Sequence, residues 1–253
     1  MKVAILYIGI GRYVKFFEDF YSSCEKFFLE NVEKTYFFFT DKKISAEENV
    51  HVIYQRDLGW PGNTLYRFKM FLEHRSELEK FDYIFFFNGN TLFLQSVTED
   101  EIIPTEDEAH LVALSWINIY TDNLKFPYER NQNSLACIPL GSGKYYFQGG
   151  LNGGRQSEYI KLLETCFDNI EKDVQNGVIA CSHDESHLNK YLLGKNVRVL
   201  GPEYGRPEEW LYPEKPKIIF RDKKRHLGRA FMRHLKKKTL FDKLILQISR
   251  LFK

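Results

Sequence analysis

The apolar residues of this chain fall into short runs separated by glycine and polar turns. VAILYI (3–8) is unbroken and stops at Gly9 and Gly11, the pattern of a buried strand opening into a loop. From Tyr13 to Asn31 the period changes to helical, with Phe16, Phe17, Phe20, Phe27 and Phe28 on one side. TYFFFTD (35–41) and VHVIYQ (50–55) predict the next two strands, and a helix is expected from about Thr64 to Lys80. DYIFFFNGNTLFL (82–94) is the strongest strand signal, interrupted by Asn88-Gly89-Asn90. Further on, HLVALSW (110–116) and KYYFQGGLNGG (144–154) predict strands, and Ser157–Val174 and His183–Leu193 predict helices. VRVLGPEY (197–204) predicts a last strand with a turn. Strands alternating with helices argue for an α/β fold with helices packed on a largely parallel sheet. Ligands collect at the carboxyl ends of such strands. That rule points to the loops Gly9–Tyr13, Thr40–Asp41 and Asn88–Asn90.

With 253 residues, the chain has the size of one large domain. The 22 Phe and 15 Tyr exceed what a core alone needs, because buried tyrosine hydroxyls require partners. Cys24, Cys137, Cys166 and Cys181 have no metal-ligand spacing and read as reduced thiols of a cytoplasmic protein. The first residues lack the features of a signal peptide, and no apolar run is long enough to span a membrane.

The net charge of +2 conceals an asymmetry: from Lys215 onward there are 14 Lys and Arg against 2 Asp and Glu, leaving 22 basic and 32 acidic residues before it. In the last part of that stretch, Leu240, Phe241, Leu244, Ile245, Ile248, Leu251 and Phe252 share one helical face, with lysines and arginines elsewhere. This is the signature of a basic amphipathic helix at a membrane surface, so residues 1–230 are read as the domain and 231–253 as its peripheral anchor. Few aromatics stand beside these cations for base stacking, which argues against nucleic acid.

Two motifs carry chemistry. Asn88-Gly89-Asn90 closes an all-apolar strand and presents two amides, although Asn-Gly is also a common turn. His183 and His187 have the i, i+4 spacing of a zinc pair, but no third ligand accompanies them. The adjacent Asp184 and Glu185 suit a sugar site, where carboxylates orient hydroxyls and stabilise an oxocarbenium-like transition state.

Taken together, FTD (39–41), TLYRFKMF (64–71), YIFFFNGNTLF (83–93), YER (128–130), IPLGSGKYYFQGGLNGG (138–154), HDESHLNKYLL (183–193) and LGPEY (200–204) closely resemble glycosyltransferase family 6. That family holds the histo-blood-group A and B transferases and the α-1,3-galactosyltransferase. The resemblance runs from about Val3 to Lys224. It implies a GT-A fold, a Rossmann-like mixed sheet flanked by helices, and retaining α-1,3 transfer of galactose or N-acetylgalactosamine from a UDP-sugar. By the same resemblance Tyr7 and Tyr13 embrace the uridine, Arg67 lies against the donor sugar and diphosphate, and Asp184 bonds the sugar hydroxyls. Glu185 is the catalytic carboxylate, either nucleophile or electrostatic stabiliser.

The chain departs from its vertebrate relatives at the metal motif, where Asp-x-Asp is replaced by Asn88 and Asn90. Neutral amides bind Mn²⁺ or Mg²⁺ weakly, so no metal cofactor is expected to be required. The leaving charge then falls to a lysine near the family's diphosphate-binding position: Lys224, with Lys223 and Arg225 as alternatives. Gln148, Gly149 and Gly150 line the donor pocket by resemblance. Gln148 fills space near the sugar's C2 while Gly150 leaves room. The expected donor is UDP-galactose, the alternatives being UDP-GalNAc or a binder that has lost catalysis. Ser182 replaces the Trp that precedes HDES in relatives and stands, with Glu185, at the acceptor site. The expected acceptor is a fucosylated, lipid-linked galactoside in surface-glycan or O-antigen synthesis at the inner membrane face.

Overall fold

The computed structural model describes residues 1–116, 120–210 and 215–228; the proposed anchor, 231–253, lies outside them. In chain order, β1 (Lys2–Ile8) leads through a 3₁₀ turn (Gly11–Phe16) into α1 (Phe17–Phe27), followed by β2 (Glu33–Thr40) and β3 (Val50–Tyr54). Three short helices follow: α2 (Gly62–Leu65), α3 (Arg67–Leu72) and α4 (Arg75–Leu78). After them come β4 (Tyr83–Phe87), β5 (Thr91–Phe93), α5 (Glu99–Ile102) and β6 (Leu111–Ser115). The second half contains β7 (Phe147–Arg155), α6 (Gln156–Gln175), α7 (Asp184–Leu192), β8 (Arg198–Leu200), β9 (Arg206–Pro207), β10 (Ile218–Phe220) and α8 (Lys223–Leu227).

The main sheet has seven strands in the order β3-β2-β1-β4-β7-β6-β8, and β5-β10-β9 form a small second sheet. The main sheet is mixed, as expected of a Rossmann-like fold: four of its six pairings are parallel, and β7 runs antiparallel to both β4 and β6. The expected strand over 82–94 is two strands belonging to different sheets. The chain turns at Asn88–Asn90, where the Thr91 N–H donates to the Asn88 carbonyl at 2.9 Å. The expected helix over 64–80 is broken at Tyr66 (φ −99°, ψ 15°) and His74 (φ −112°, ψ 21°), both in bridge-region conformations and both poor helix formers.

The unbroken apolar runs follow from burial on both faces. Successive strand residues point to opposite sides. Val3, Ile5 and Tyr7, with Tyr36, Phe38, Phe85 and Phe87, therefore pack under α1 and the small sheet. Ala4 and Leu6, with Phe37, Phe39, Ile84 and Phe86, pack under α3, α6 and α7. Rings fill the first side closely: Phe17 stacks on Phe38 at 3.9 Å between centroids, and Phe28 sets its edge against Phe85 and Phe87. Burying each such ring contributes about 1.5–3 kcal/mol.

β7 is what shapes the site. Because it runs antiparallel, its first residues lie beside the carboxyl end of β4, and the Asn88 N–H donates to the Gly150 carbonyl at 2.8 Å. Its four glycines allow close approach from both sides. A methyl on Gly153 would fall 2.6 Å from the Ile84 carbonyl oxygen and 2.5 Å from a Phe85 ring carbon. Gly153→Ala is expected to cost about 1–3 kcal/mol through overpacking in the sheet centre. Chemical denaturation should show a lower midpoint with an unchanged m-value.

Candidate active site

The carboxyl ends of β1 and β4 border a cleft of about 180 Å³. Ile8, Ile10, Gly11 and Tyr13 come from the end of β1, and Phe86, Asn88 and Gly89 from the end of β4. The opposite wall is Asp57, Gly59, Trp60, Asn63 and Thr64, with Arg67 at the base and Lys223 from α8.

Arg67 organises the floor. Its Nε lies 2.8 Å from Asp184 Oδ2, one of its terminal nitrogens donates to the Gly149 carbonyl at 2.8 Å, and its guanidinium covers the Phe86 ring at 4.6 Å. Asp184 is 2% exposed and its second oxygen, Oδ1, has no hydrogen-bond partner. Burial pushes the Asp184 carboxyl up to about 7; Arg67 pulls against that rise and Glu185 adds to it. Next in sequence, Glu185 accepts the Tyr146 hydroxyl on Oε1 at 2.5 Å and the Gly149 N–H on Oε2 at 2.6 Å. Burial raises its pKa, opposed by those two donors and by Arg67. Tyr146 is raised well above the usual phenol range by burial and by Glu185, so it remains a donor. A Cβ on Gly149 would stand 3.4–3.6 Å from both carboxylates, so a larger residue there would crowd the side chains that glycine admits.

Tyr13, Arg67 and Asn88 line this cleft, and Arg67 ties Asp184 and Gly149 to it, with Glu185 following through the Gly149 N–H. Other expected residues are placed differently. Tyr7 cannot stack on a base: it is 0% exposed, packed between Phe17, Phe20 and Phe38, and its hydroxyl donates to the Gly89 carbonyl at 2.7 Å. It supports the 88–90 turn from below. Lys224 is exposed, and its neighbour Lys223 enters the cleft, its ammonium 5.5 Å from the Tyr13 ring centroid. Burial and the Arg67 cation hold Lys223 below the usual lysine range. Asn90 is 3% exposed; its amide is engaged by Asn88 and by the Arg221 carbonyl. The two amides thus bond each other and the main chain, and among the described residues no group of three or more His, Cys, Asp or Glu is placed so that it could hold a metal ion.

Gln148 is also turned away, its amide nitrogen donating to the Gly205 carbonyl at 3.0 Å. The room expected beside Gly150 is filled: a Cβ there would lie 2.6 Å from the Phe220 ring. Ser182 sits at the approach to α7, its carbonyl accepting the Glu185 N–H. Beside it, the Trp60 ring meets His183 edge-on at 4.9 Å. Trp60, Tyr146 and Lys223 are the residues the sequence reading missed or ranked second. Trp60 carried the one available signal, an aromatic between glycines just ahead of the predicted helix.

A buried polar layer holds α7 from behind. Asp173 accepts the Ser134 hydroxyl at 2.5 Å and the Leu135 N–H at 2.8 Å, and lies 3.6 Å from His187 Nε2. Glu129 accepts the N–H groups of Cys181 and Asn131. Asn189 donates to the carbonyls of Phe147 and Glu185 and accepts the Phe147 N–H, tying the helix to β7. His187 is therefore a structural histidine facing α6, which explains its spacing from His183 without zinc.

A mixed sheet with its polar cleft at the carboxyl ends of β1 and β4 is the architecture of a GT-A-like glycosyltransferase. The family model described as Glycosyltransferase family 6 matches residues 1–227. The O-antigen biosynthesis glycosyltransferase WbnI of Escherichia coli is 34% identical over 230 residues, covering 89% of this chain and 96% of that protein. The histo-blood group ABO system transferase 1 of Rattus norvegicus is 30% identical over 215 residues, 80% of this chain and 60% of that protein. The globoside alpha-1,3-N-acetylgalactosaminyltransferase 1 of Homo sapiens is 25% identical over 232 residues, 87% of this chain and 65% of that protein. The chain belongs to glycosyltransferase family 6.

The buried layer has a pH signature. Burial lowers the His187 imidazole from 6.5 to about 4, against the opposing pull of Asp173 and Glu129. Between those values the unfolded chain binds a proton that the folded chain refuses, so stability falls as pH falls through this window, by about 3 kcal/mol in all. His187→Gln removes the proton site. Unfolding free energies measured from pH 7.5 to 4.5 should then decline less steeply than in the native sequence. Parallel slopes would contradict the assignment.

Proposed function

We propose that this enzyme transfers galactose from UDP-galactose to a galactoside acceptor, with retention and formation of an α-1,3 linkage, and without a divalent metal. The observation that carries the reading is the continuous array Asp184–Arg67–Gly149–Glu185, which meets the cleft at Arg67. Asp184 Oδ1, buried and unpartnered, is an acceptor waiting for a sugar hydroxyl. Arg67 and Lys223 supply two cations where a departing diphosphate gathers charge. The hydrogen-bonded state of Asn88 and Asn90 supports protein cations in the role a metal would otherwise fill.

In the transfer, the bond between the sugar's C1 and the β-phosphate oxygen breaks and the acceptor oxygen bonds to C1 on the same face. The acceptor's proton passes to the departing phosphate oxygen. Glu185 stabilises the cationic sugar between these events. Both of its oxygens already accept hydrogen bonds, which fix the carboxylate in place and oppose the rise that burial imposes on its pKa, in keeping with this electrostatic role. The donor preference follows from space. By the resemblance Gly150 borders the sugar's C2; Phe220 fills the space beside it, and a filled space suits a hydroxyl better than an N-acetyl. The acceptor is proposed to be a surface-glycan precursor, in line with the O-antigen role carried in the name of the Escherichia coli relative.

Assays with UDP-galactose and UDP-GalNAc, each with and without EDTA, test the reading, with the product's anomeric proton read by NMR. Galactose transfer should dominate, survive chelation and give an α-anomer, while Glu185→Gln should lower kcat by about 10²-fold or more with the donor KM little changed. Loss of activity on chelation with recovery on Mn²⁺ would overturn the metal-free assignment.

A pH profile tests the ion pair separately. The acid limb of kcat/KM should lie near the Asp184 value of about 7. Arg67→Met removes the cation that favours the carboxylate, so the residual activity should show this limb moved to higher pH. A limb that stays in place would remove Asp184 from the titration.

A further inference from the structure

The Asn88–Asn90 turn is built into the cleft wall in a way that a plain turn does not require. Asn90 Oδ1 accepts from Asn88 Nδ2 at 2.9 Å, and Asn90 Nδ2 donates to the Arg221 carbonyl at 2.7 Å. The main chain closes the same link in the other direction, the Arg221 N–H donating to the Asn90 carbonyl at 2.8 Å. Residue 221 is thereby clamped on both its peptide groups. Its guanidinium is anchored as well, to Asp19 at 2.5 Å and the Phe16 carbonyl at 3.0 Å. Two residues later Lys223 opens α8 and brings its ammonium into the cleft beside Tyr13.

We propose that Asn90 is a positioning residue for Lys223: the amide relay from Asn88 through Asn90 to the Arg221 carbonyl fixes where α8 begins, and so holds the lysine at the donor's diphosphate. This rests on the reading of the cleft as a UDP-sugar site. The relay has a direction, and that direction requires an amide. A carboxylate at position 90 still accepts from Asn88, but it sets an oxygen against the Arg221 carbonyl oxygen with no proton between them. Asn90→Asp is nearly isosteric; it reverses this contact and also adds a negative charge, whose direct effect on a diphosphate would be independent of Lys223 and therefore additive with Lys223→Met.

The test compares UDP with uridine, which shares the base and ribose but lacks the diphosphate. Affinities of the full chain are measured by calorimetry, with uridine read in competition. Lys223→Met should weaken UDP by about tenfold, the size of one charge-assisted contact, with uridine unchanged within about twofold. Asn90→Asp should reproduce that diphosphate-selective loss. The double variant should be no weaker than Lys223→Met alone, because both act through one cation. Should Asn90→Asp fail to fold, the neutral Asn90→Leu removes both the acceptor for Asn88 and the donor to the Arg221 carbonyl without adding charge, and should give the same selective loss. An equal loss for UDP and uridine, additive effects in the double variant, or UDP affinity untouched by Asn90→Asp would each overturn the proposal. A native protein that binds neither ligand would instead sink the UDP-sugar reading of the cleft, and this inference with it.

Discussion

The cleft depends on one buried cation. Arg67 joins three elements that the chain brings together from far apart: α3, which carries it; the start of β7, through the Gly149 carbonyl; and α7, through Asp184. Stripping a guanidinium and a carboxylate of water costs several kcal/mol, and such a pair persists only where further hydrogen bonds complete it. The carbonyl and the face of Phe86 complete the arginine, while Asp184 keeps one oxygen bare. The site is therefore partly unsatisfied by construction, with its charges fixed before any ligand arrives. That is the condition under which electrostatic stabilisation needs no reorganisation at the moment of reaction.

The antiparallel β7 is the topological means to this end. In a wholly parallel sheet its N-terminal end would lie at the far edge, away from the loops after β1 and β4. Reversed, it places Gly149 and Gly150 beside Asn88, and the missing side chain of Gly149 lets the first turn of α7 come within hydrogen-bonding distance of its backbone. Behind α7, the Asp173, Glu129 and Asn189 contacts hold the helix by its polar face, so the carboxylates at its start do not depend on apolar packing alone.

Much of this was written in local pattern. Two-sided burial produces the unbroken runs of β1, β2 and β4, and the alternation within them predicts which residues face α1. The resemblance gave Tyr7 a stacking role that the structure contradicts, because it shares a buried face with Val3 and Ile5. The Asp184–Glu185 pair was legible because a rare motif carries it. What escaped depends on distant contacts. The occupant of the space beside Gly150 is Phe220, seventy positions away and in a small sheet that no periodicity announced. Lys223 and Lys224 are equivalent in sequence, and only the clamp on residue 221 decides which of them faces the cleft. The breaks at Tyr66 and His74 have no breaker residue to mark them. The split of 82–94 was visible as a polar triplet, but not that its two halves serve different sheets.

The charge balance of the cleft links ligand binding to protonation. Lys223 is held below its ordinary range because it is half-buried and because Arg67 adds a second positive charge nearby. Two cations facing one another across a cleft is an unfavourable arrangement for an empty site and a favourable one for a polyanion. On the proposed reading, a diphosphate lying between them replaces their repulsion with two attractions and raises the lysine's pKa again. On the same reading that repulsion is relieved on binding, and the neutral Asn88–Asn90 turn adds no carboxylates that would offset it. Acidic residues at those two positions would relieve the repulsion in the free protein and weaken the attraction for the ligand together. A pair of amides and a pair of cations are in this sense two halves of one electrostatic solution.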